Sequence, residues 1–147
     1  MITIKELTDA DFDAVKKLFV SVFTKEPWND DWSDENQLNE YLKDVMMGRN
    51  PLNLGLYDDG DLVGISLGFI KHWCNGTEYY IDELCIRPDR QGQGLGTKFF
   101  ELMKSVMESR EIVQYFLQTD ENAPAYKFYK KLGFTELKGH VSFARDI

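Results

Sequence analysis

The chain has 147 residues, a length that suits one domain, and we predict a single domain over residues 1–147. Its net charge of −8 arises in the first 61 residues, because acidic and basic residues balance in the remainder. Nucleic-acid binding requires a basic surface that neutralises phosphates, so no nucleic-acid partner is expected. The acidic half is consistent either with steering of a cationic small molecule or with a merely solvated face.

No segment of the sequence is apolar enough to cross a membrane, since the longest run without a charged residue is Leu62–Ile70. The first residues lack the basic and apolar segments of a signal peptide, so we expect a cytoplasmic location and no membrane partner. Cys74 and Cys85 are not expected to form a disulfide in that compartment. Two cysteines and two histidines without ligand-like spacing predict no metal site.

Apolar periodicity predicts the elements of the first half of the chain. An alternating strand over residues 2–7 precedes an amphipathic helix over 12–23, with Thr8 and Asp11 in a capping arrangement. Ser33 or Asp34 caps a second helix that runs through Met46. Two β runs follow, residues 52–57 and 62–71, and the Asp-Asp-Gly-Asp turn between them is typical of a hairpin.

The second half begins with the most apolar strand, residues 78–87, and a glycine-rich loop leads from it into a helix. A strand over 112–118 and another helix follow, the latter capped by Asn122 or Glu121 and ended at Gly133. The tail, 134–147, is predicted to form one or two closing strands. The resulting order β-α-α-β-β-β-α-β-α-β predicts an α+β fold with a mixed sheet.

The glycine-rich loop has glycines at alternate positions, Gly92, Gly94 and Gly96, between a strand and a helix. Glycine lets main-chain N–H groups approach a ligand, and the start of a helix adds unpaired donors that attract phosphate oxygens. A flexible turn is the plain alternative. A nucleoside-triphosphate loop is excluded because Gly-Lys-Ser/Thr is missing, and the spacing does not fit a dinucleotide-binding loop.

The segment Gln91-Gly-Gln-Gly-Leu-Gly96 resembles motif A of the GNAT superfamily of N-acetyltransferases, whose pattern is Gln/Arg-x-x-Gly-x-Gly/Ala. It follows Tyr80–Pro88, which is similar to the fourth strand of that family. Asn122–Phe134 is similar to the family's motif B. Two motifs in the right order identify the chain as a member, and the resemblance implies a mostly antiparallel sheet flanked by about four helices.

The resemblance implies that acetyl-CoA is the cosubstrate. The pantetheine arm is expected to pair with the backbone of Leu84, Cys85 and Ile86, where the fourth and fifth strands separate. Asn122 matches a position that commonly contacts the coenzyme, and Tyr129 matches the tyrosine that protonates the departing thiolate. The pyrophosphate is expected on the loop and first helical turn, formed by Gln91, Gly92, Gln93, Gly94, Leu95, Gly96 and Thr97.

Acetyl transfer needs a neutral amine, so a base must remove the ammonium proton. Asp82 is the first choice for that base and Glu83 the second, while many family members use a water chain instead. Neighbouring strand residues face opposite sides unless a β-bulge intervenes, as it does in this strand of the family. Tyr129 has the alternative of being an ordinary core aromatic on its helix.

The acceptor site is expected to involve Trp28 and Trp32, together with Tyr80 and Asp82, unless the tryptophans only pin a loop to the core. A small cationic amine, similar to a polyamine or an aminoglycoside, is the expected acceptor. A lysine or N-terminal amine of a protein is the alternative, and a non-catalytic acyl-CoA sensor is the second alternative. Homodimers occur among relatives, so a homodimer is possible.

Overall fold

The computed structural model describes residues 1–147, in which five strands form one sheet in the order β1-β2-β3-β4-β5. The first three pairings are antiparallel, whereas β4 and β5 run parallel, which makes the sheet mixed as predicted. The strands are β1 (Ile2–Glu6), β2 (Pro51–Asp58), β3 (Asp61–Trp73), β4 (Gly76–Ile86) and β5 (Gln114–Leu117).

Four α-helices accompany the sheet: α1 (Phe12–Phe23), α2 (Glu35–Met46), α3 (Leu95–Ser109) and α4 (Pro124–Lys131). The predicted capping at Thr8 is confirmed, since Thr8 and Asp11 form a capping box in the short 3₁₀ turn before α1. Asp34 caps α2 by accepting a hydrogen bond from the amide of Gln37 at 3.1 Å, so Ser33 is not the cap. None of the helices has the length and apolar character needed to cross a membrane.

The sheet separates two apolar cores. Helices α1 and α2 pack on one face through residues such as Val15, Phe19, Leu38 and Leu42. Helix α3 packs on the other face through Phe99 and other apolar side chains, and both cores reach β4. Burial of these side chains on both faces fixes the sheet as the framework from which loops and strand ends project.

Two sequence-based expectations are wrong near the C-terminus. Neither Asn122 nor Glu121 caps α4; the cap residue is Ala123, whose side chain cannot cap, and Pro124 begins the helix because proline tolerates the first turn. No strand forms within 134–147, so the order ends at α4. Alternation alone does not make a strand, because a strand needs a partner that supplies its ladder. Two apolar residues of that tail, Val141 and Phe143, are 76% and 94% exposed.

Candidate active site

Strands β4 and β5 separate halfway along β4. Their parallel pairing ends at Ile81 and Leu117, and β4 then continues to Ile86 while β3 alone pairs with it. The last residues of β4 therefore present one edge of their backbone to an opening instead of to a neighbouring strand. This opening contains the predicted pantetheine positions, Leu84–Ile86.

A β-bulge lies at the point of separation. In the pairing of β3 with β4, Leu67 is opposite Glu83 and Gly68 is opposite Ile81, so Asp82 is the extra residue. The bulge needs a glycine on β3, because a Cβ on Gly68 would lie 2.0 Å from the carbonyl oxygen of Tyr80. The expectation of a bulge in this strand is confirmed.

The bulge changes the face of the sheet to which the following side chains point. Before it, Tyr79 and Ile81 belong to the core beneath α3. After it, Cys85 belongs to the core beneath α1 and α2, and Glu83 reaches α2. Without the extra residue, all four of these odd-numbered positions would share one face. The bulge thus places a carboxyl group on the α2 side of the opening.

Glu83 is largely buried and has a hydrogen-bond partner. The hydroxyl of Tyr41, on α2, donates to Oε1 of Glu83. Burial raises the pKa of Glu83 to about 7; the Tyr41 hydrogen bond lowers it, and the nearby charges of Asp82 and Asp30 raise it again. A carboxyl group with a pKa near neutrality can exchange protons at physiological pH.

Asp82 lies in a different setting although it is the adjacent residue. It is exposed on the bulge, and partial burial of its carboxyl group raises its pKa. Tyr80, two positions earlier, is half-buried and stacks on Phe69 with ring centres 5.0 Å apart, while Phe116 lies 4.8 Å from it. Asp82 is therefore an accessible carboxyl group beside an aromatic surface.

The glycine-rich loop presents a row of unpaired donors. The amide of Gln91 bonds weakly to the carbonyl of Pro88 at 3.4 Å, and the first helical bond of α3 runs from Lys98 to Gly94 at 3.0 Å. Between them, the main-chain amides of residues 92–97 have no acceptor within the protein. Gly92 and Gly94 have φ values of 73° and 77°, a left-handed conformation that favours glycine.

Side chains hold this loop against the end of the sheet. Gln91 donates through Nε2 to the carbonyl oxygen of Ile86 at 2.9 Å, so the side chain of Gln91 braces β4. Arg90 donates to Oδ2 of Asp58 at 2.7 Å and to Oε1 of Gln93 at 3.1 Å. A Cβ on Gly96 would lie 2.8 Å from the ring of Phe128, so glycine lets α4 approach α3 closely. The donor row is thereby fixed in place beside the opening.

The donor row fits a pyrophosphate by its chemistry. Successive N–H groups at the start of α3 combine with the positive end of the helix dipole, and both favour an anion. Gly92 and Gly94 leave open space where a Cβ would stand, with no atom within 4 Å. The observed geometry is therefore compatible with the coenzyme that the sequence implies, and Leu95 is the one buried member of this segment.

Tyr129 of α4 lies close to β4. Burial raises its pKa strongly, and the nearby Cys85 and Glu83 raise it further. Phe128 and Phe134 pack against its ring at centre distances of 5.3 Å each. Tyr129 also lines a cleft of about 980 Å³ between β5, α4 and the tail. Its hydroxyl is thus brought near the opening, whereas Asn122 lies exposed in the turn before α4.

The two predicted acceptor-site tryptophans pack against the core of α1 and α2. Trp28 lies 5.7 Å from Phe23 between ring centres. Trp32 stacks on Tyr41 at 5.0 Å, and its indole Nε1 is buried without a hydrogen-bond partner. Trp32 therefore reaches the surroundings of Glu83 through Tyr41, whereas Trp28 is joined to α1.

Two contributors to the site were missed by sequence analysis. Tyr41 belongs to the apolar stripe of α2, and a periodic stripe gives no sign that one member carries a hydrogen bond to a distant strand. Arg90 precedes the glycines, but its partner Asp58 is the last residue of β2, and only the fold brings the two together. No cluster of three or more His, Cys, Asp or Glu side chains is arranged to hold a metal ion.

Residues 12–134 match the sequence profile of the Acetyltransferase (GNAT) family, and the chain belongs to that family of acyltransferases. It is similar to the thialysine N-epsilon-acetyltransferase of Mus musculus, with 33% identity over 79 residues, or 51% of this chain. The match covers 46% of that relative, so the chain spans about half of the length of the curated relative.

Solved structures share the fold at low sequence identity. A possible acetyltransferase from Clostridium difficile 630 superposes with a TM-score of 0.81 and 19% identity, covering 100% of this chain and 99% of the other. An aminoglycoside acetyltransferase, meta-AAC0020, from an uncultured soil metagenomic sample in complex with sisomicin gives 0.74 and 20%, covering 99% and 96%. At such identities, the likeness establishes the mixed, mostly antiparallel fold with four helices.

Proposed function

We propose that this chain transfers the acetyl group of acetyl-CoA to a primary amine by direct attack in a ternary complex. The main observation behind the proposal is that Glu83 and Tyr129 lie near each other at the opening beside β4, next to a row of unpaired amides. A carboxyl group that accepts a proton and a hydroxyl that donates one are the two groups that aminolysis of a thioester requires. Family membership supports the same reaction.

Acetyl-CoA supplies the activated thioester, and the chain supplies its binding surface. The amides of residues 92–97 are proposed to hold the pyrophosphate, with Gln91 acting through its side-chain brace on β4. The amide of Arg87 bonds to Val63 on β3, so by the alternation of an antiparallel ladder Cys85 also bonds to β3 and Leu84 presents its backbone groups to the opening, while the carbonyl of Ile86 already accepts from Gln91. Asn122 is proposed to contact the coenzyme from the turn before α4.

Glu83 is proposed as the base. An alkylammonium has a pKa near 10, so holding it deprotonated at pH 7 requires about 4 kcal/mol. Glu83 has a pKa of about 7 and faces α2 from the unpaired part of β4, so it can take the ammonium proton near neutral pH. Asp82, which sequence analysis ranked first, is more exposed, and we propose that it binds the cationic acceptor.

Tyr129 is proposed as the acid that protonates the leaving sulfur. Its raised pKa keeps the hydroxyl protonated at pH 7, so it can donate as the C–S bond breaks and the C–N bond forms. The amine nitrogen loses two protons overall: one goes to Glu83 and then to solvent, and the other replaces the proton that Tyr129 gives to the sulfur. An amide of the unpaired part of β4 is proposed to stabilise the carbonyl oxygen.

A small cationic amine is the proposed acceptor. The charges of Asp82 and Asp30 both act on Glu83, so these three carboxyl groups lie near one another and would attract a cation. The mouse relative is named for acetylating thialysine, and one neighbour in fold is an aminoglycoside acetyltransferase bound to sisomicin. Trp32 and Tyr80 are proposed to border the acceptor, with Trp28 holding the loop. A protein amine is the alternative acceptor.

The test is acetylation of an amine panel read by release of the CoA thiol, with polyamines, aminoglycosides, thialysine and lysine-containing peptides as acceptors. Acetyl-CoA should bind in calorimetry, and thiol release should require an amine. Glu83→Gln is the matched control, because it keeps the shape of the side chain and removes the base. Binding without release for every amine would support a sensor, and no binding of acetyl-CoA or CoA would overturn the proposal.

A further inference from the structure

Tyr41 links the second helix to the proposed base. It lies in the middle of α2, 42 residues from Glu83, and its hydroxyl donates to Oε1 of that glutamate. The contact joins α2 to the part of β4 that no longer pairs with β5. Oε1 is the only oxygen of Glu83 with a protein partner, so Oε2 remains available to another donor.

The ring of Tyr41 is held independently of this hydrogen bond. Trp32 stacks on it with ring centres 5.0 Å apart and an interplanar angle of 27°, and Phe19 lies 6.0 Å away. Tyr41 is itself half-buried against the core of α1 and α2. A ring fixed on two sides aims its hydroxyl at one place, so the hydroxyl acts as a rigid donor.

We propose that Tyr41 is a positioning residue, whose hydroxyl holds the Glu83 carboxylate with Oε2 turned to the acceptor amine. This inference rests on the proposed function. A phenylalanine at position 41 could make the same stacking contacts, so the proposed role depends on the hydroxyl group.

The electrostatic surroundings make this hydrogen bond important for proton transfer. Burial raises the pKa of Glu83, and so do the charges of Asp82, on the bulge, and Asp30, in the loop after α1. Cys85 and Tyr129 also face Glu83, but burial raises the pKa of both, so they stay neutral at pH 7. Among these groups, Tyr41 alone lowers the pKa of Glu83, because a donated hydrogen bond favours the ionised form.

The first test compares pH–rate profiles of the wild type and Tyr41→Phe. The acidic limb of kcat/KM should move up by about one pH unit, so the rate should fall about tenfold at pH 6 and recover to within about twofold at pH 9. Tyr126→Phe is the matched control, since it removes a similar hydroxyl-to-glutamate bond, to Glu136 at 2.8 Å, and should leave the profile in place. An acidic limb that keeps the wild-type midpoint in Tyr41→Phe would overturn the inference, because the hydroxyl would then have no influence on the Glu83 carboxyl group.

A double-mutant cycle adds a second kinetic readout. If Tyr41 acts through Glu83, Tyr41→Phe should have little further effect on kcat in a Glu83→Gln background. If the fold-decrease in kcat of the double variant equals the product of the fold-decreases of the two single variants, the proposal is contradicted.

A third readout does not depend on activity. Carboxyl-labelled glutamate, with the Glu83 signal assigned by its disappearance in Glu83→Gln, should titrate about one pH unit higher in Tyr41→Phe than in the wild type. In protein that keeps Tyr41, a ¹³Cζ label on tyrosine gives a second measurement. The chemical shift of the Tyr41 signal should follow the titration of Glu83 in the wild type and should not do so in Glu83→Gln. A Tyr41 signal that is flat in the wild type would overturn the inference even if acetyl transfer is confirmed. If these signals titrate and no amine is acetylated, the proposed function fails instead.

Discussion

The two halves of β4 differ in their surroundings. Residues 76–81 pair with β3 on one side, residues 78–81 also pair with β5 on the other, and the inward side chains of Tyr79 and Ile81 are buried. After the bulge residue Asp82, residues 83–86 pair with β3 alone, and the two carboxyl groups and the unpaired edge of the strand lie in this half. The first half anchors the sheet, and the second half carries the residues of the proposed active site.

The difference shows how one strand serves both purposes. The extra residue Asp82 ends the alternation of the first half and begins a new one, so Glu83 and Cys85 turn toward α2. Buried pairing on both sides keeps the first half rigid, which fixes where the bulge stands.

Glu83→Gln should reduce kcat/KM by about 10²–10³-fold, because the amide keeps the shape of the side chain and cannot accept the ammonium proton. Asp82→Asn should leave kcat nearly unchanged and raise KM for a cationic amine about threefold, since one exposed charge is removed. Steady-state kinetics with the best amine of the panel measures both. If Asp82→Asn instead causes the larger loss of kcat, the base lies on the bulge itself.

The same Glu83→Gln variant should be more stable than the wild type at high pH. The folded-state pKa of Glu83, about 7, is above its reference value of 4.5, so ionisation destabilises the fold. Compared with the variant, the wild type keeps its full stability below about pH 4.5 and becomes less stable as the pH rises through 7. We expect a gain of about 2–3 kcal/mol at pH 9 and none at pH 4.5.

Urea unfolding at several pH values measures this difference. Glu40→Gln, an exposed glutamate on α2 paired with Lys43, serves as the control and should differ from the wild type by less than about 0.5 kcal/mol throughout. A difference between Glu83→Gln and the wild type that does not vary with pH would show that the carboxyl group of Glu83 titrates normally.

Tyr129→Phe should lower kcat about tenfold and leave the dissociation constant of acetyl-CoA unchanged. The departing thiolate has a pKa near 8.5, so it needs less help from an acid than an alkoxide would. Phenylalanine keeps the packing against Phe128 and Phe134. Rapid-quench kinetics and calorimetry measure the two quantities, and an unchanged kcat would leave Tyr129 with a packing role only.

Much of this fold could be predicted because its signals are local. The α1 and α2 stripes, the Asp58–Asp61 turn and the glycine-rich loop are each readable within a short window, and all four helices form where periodicity placed them. The closing strands failed because the tail has an alternating pattern but no partner in the sheet.

The site was less predictable because it depends on contacts between distant segments. The sequence located Asp82 and Glu83 as neighbours, and only the register of β3 on β4 shows which of them turns toward α2. Tyr41 was hidden in an apolar stripe, and Arg90 gave no sign of its bond to Asp58. Side-chain roles that rest on pairing register or on packing between elements cannot be read from local pattern.

Alanine variants of two glycines with similar backbone conformations distinguish the role of the glycine-rich loop in binding from the conformational strain that the substitution introduces. Gly94 follows the unpaired half of β4 and has φ of 77°, whereas Gly60 lies in the β2–β3 turn and has φ of 92°; neither has an atom within 4 Å of an added Cβ. Alanine at either position should therefore cost about 1 kcal/mol of stability. Only Gly94→Ala should also weaken acetyl-CoA binding, by about fivefold in calorimetry, because it displaces amides that are proposed to hold the pyrophosphate. Equal affinities in the two variants would mean that the coenzyme does not rest on this loop.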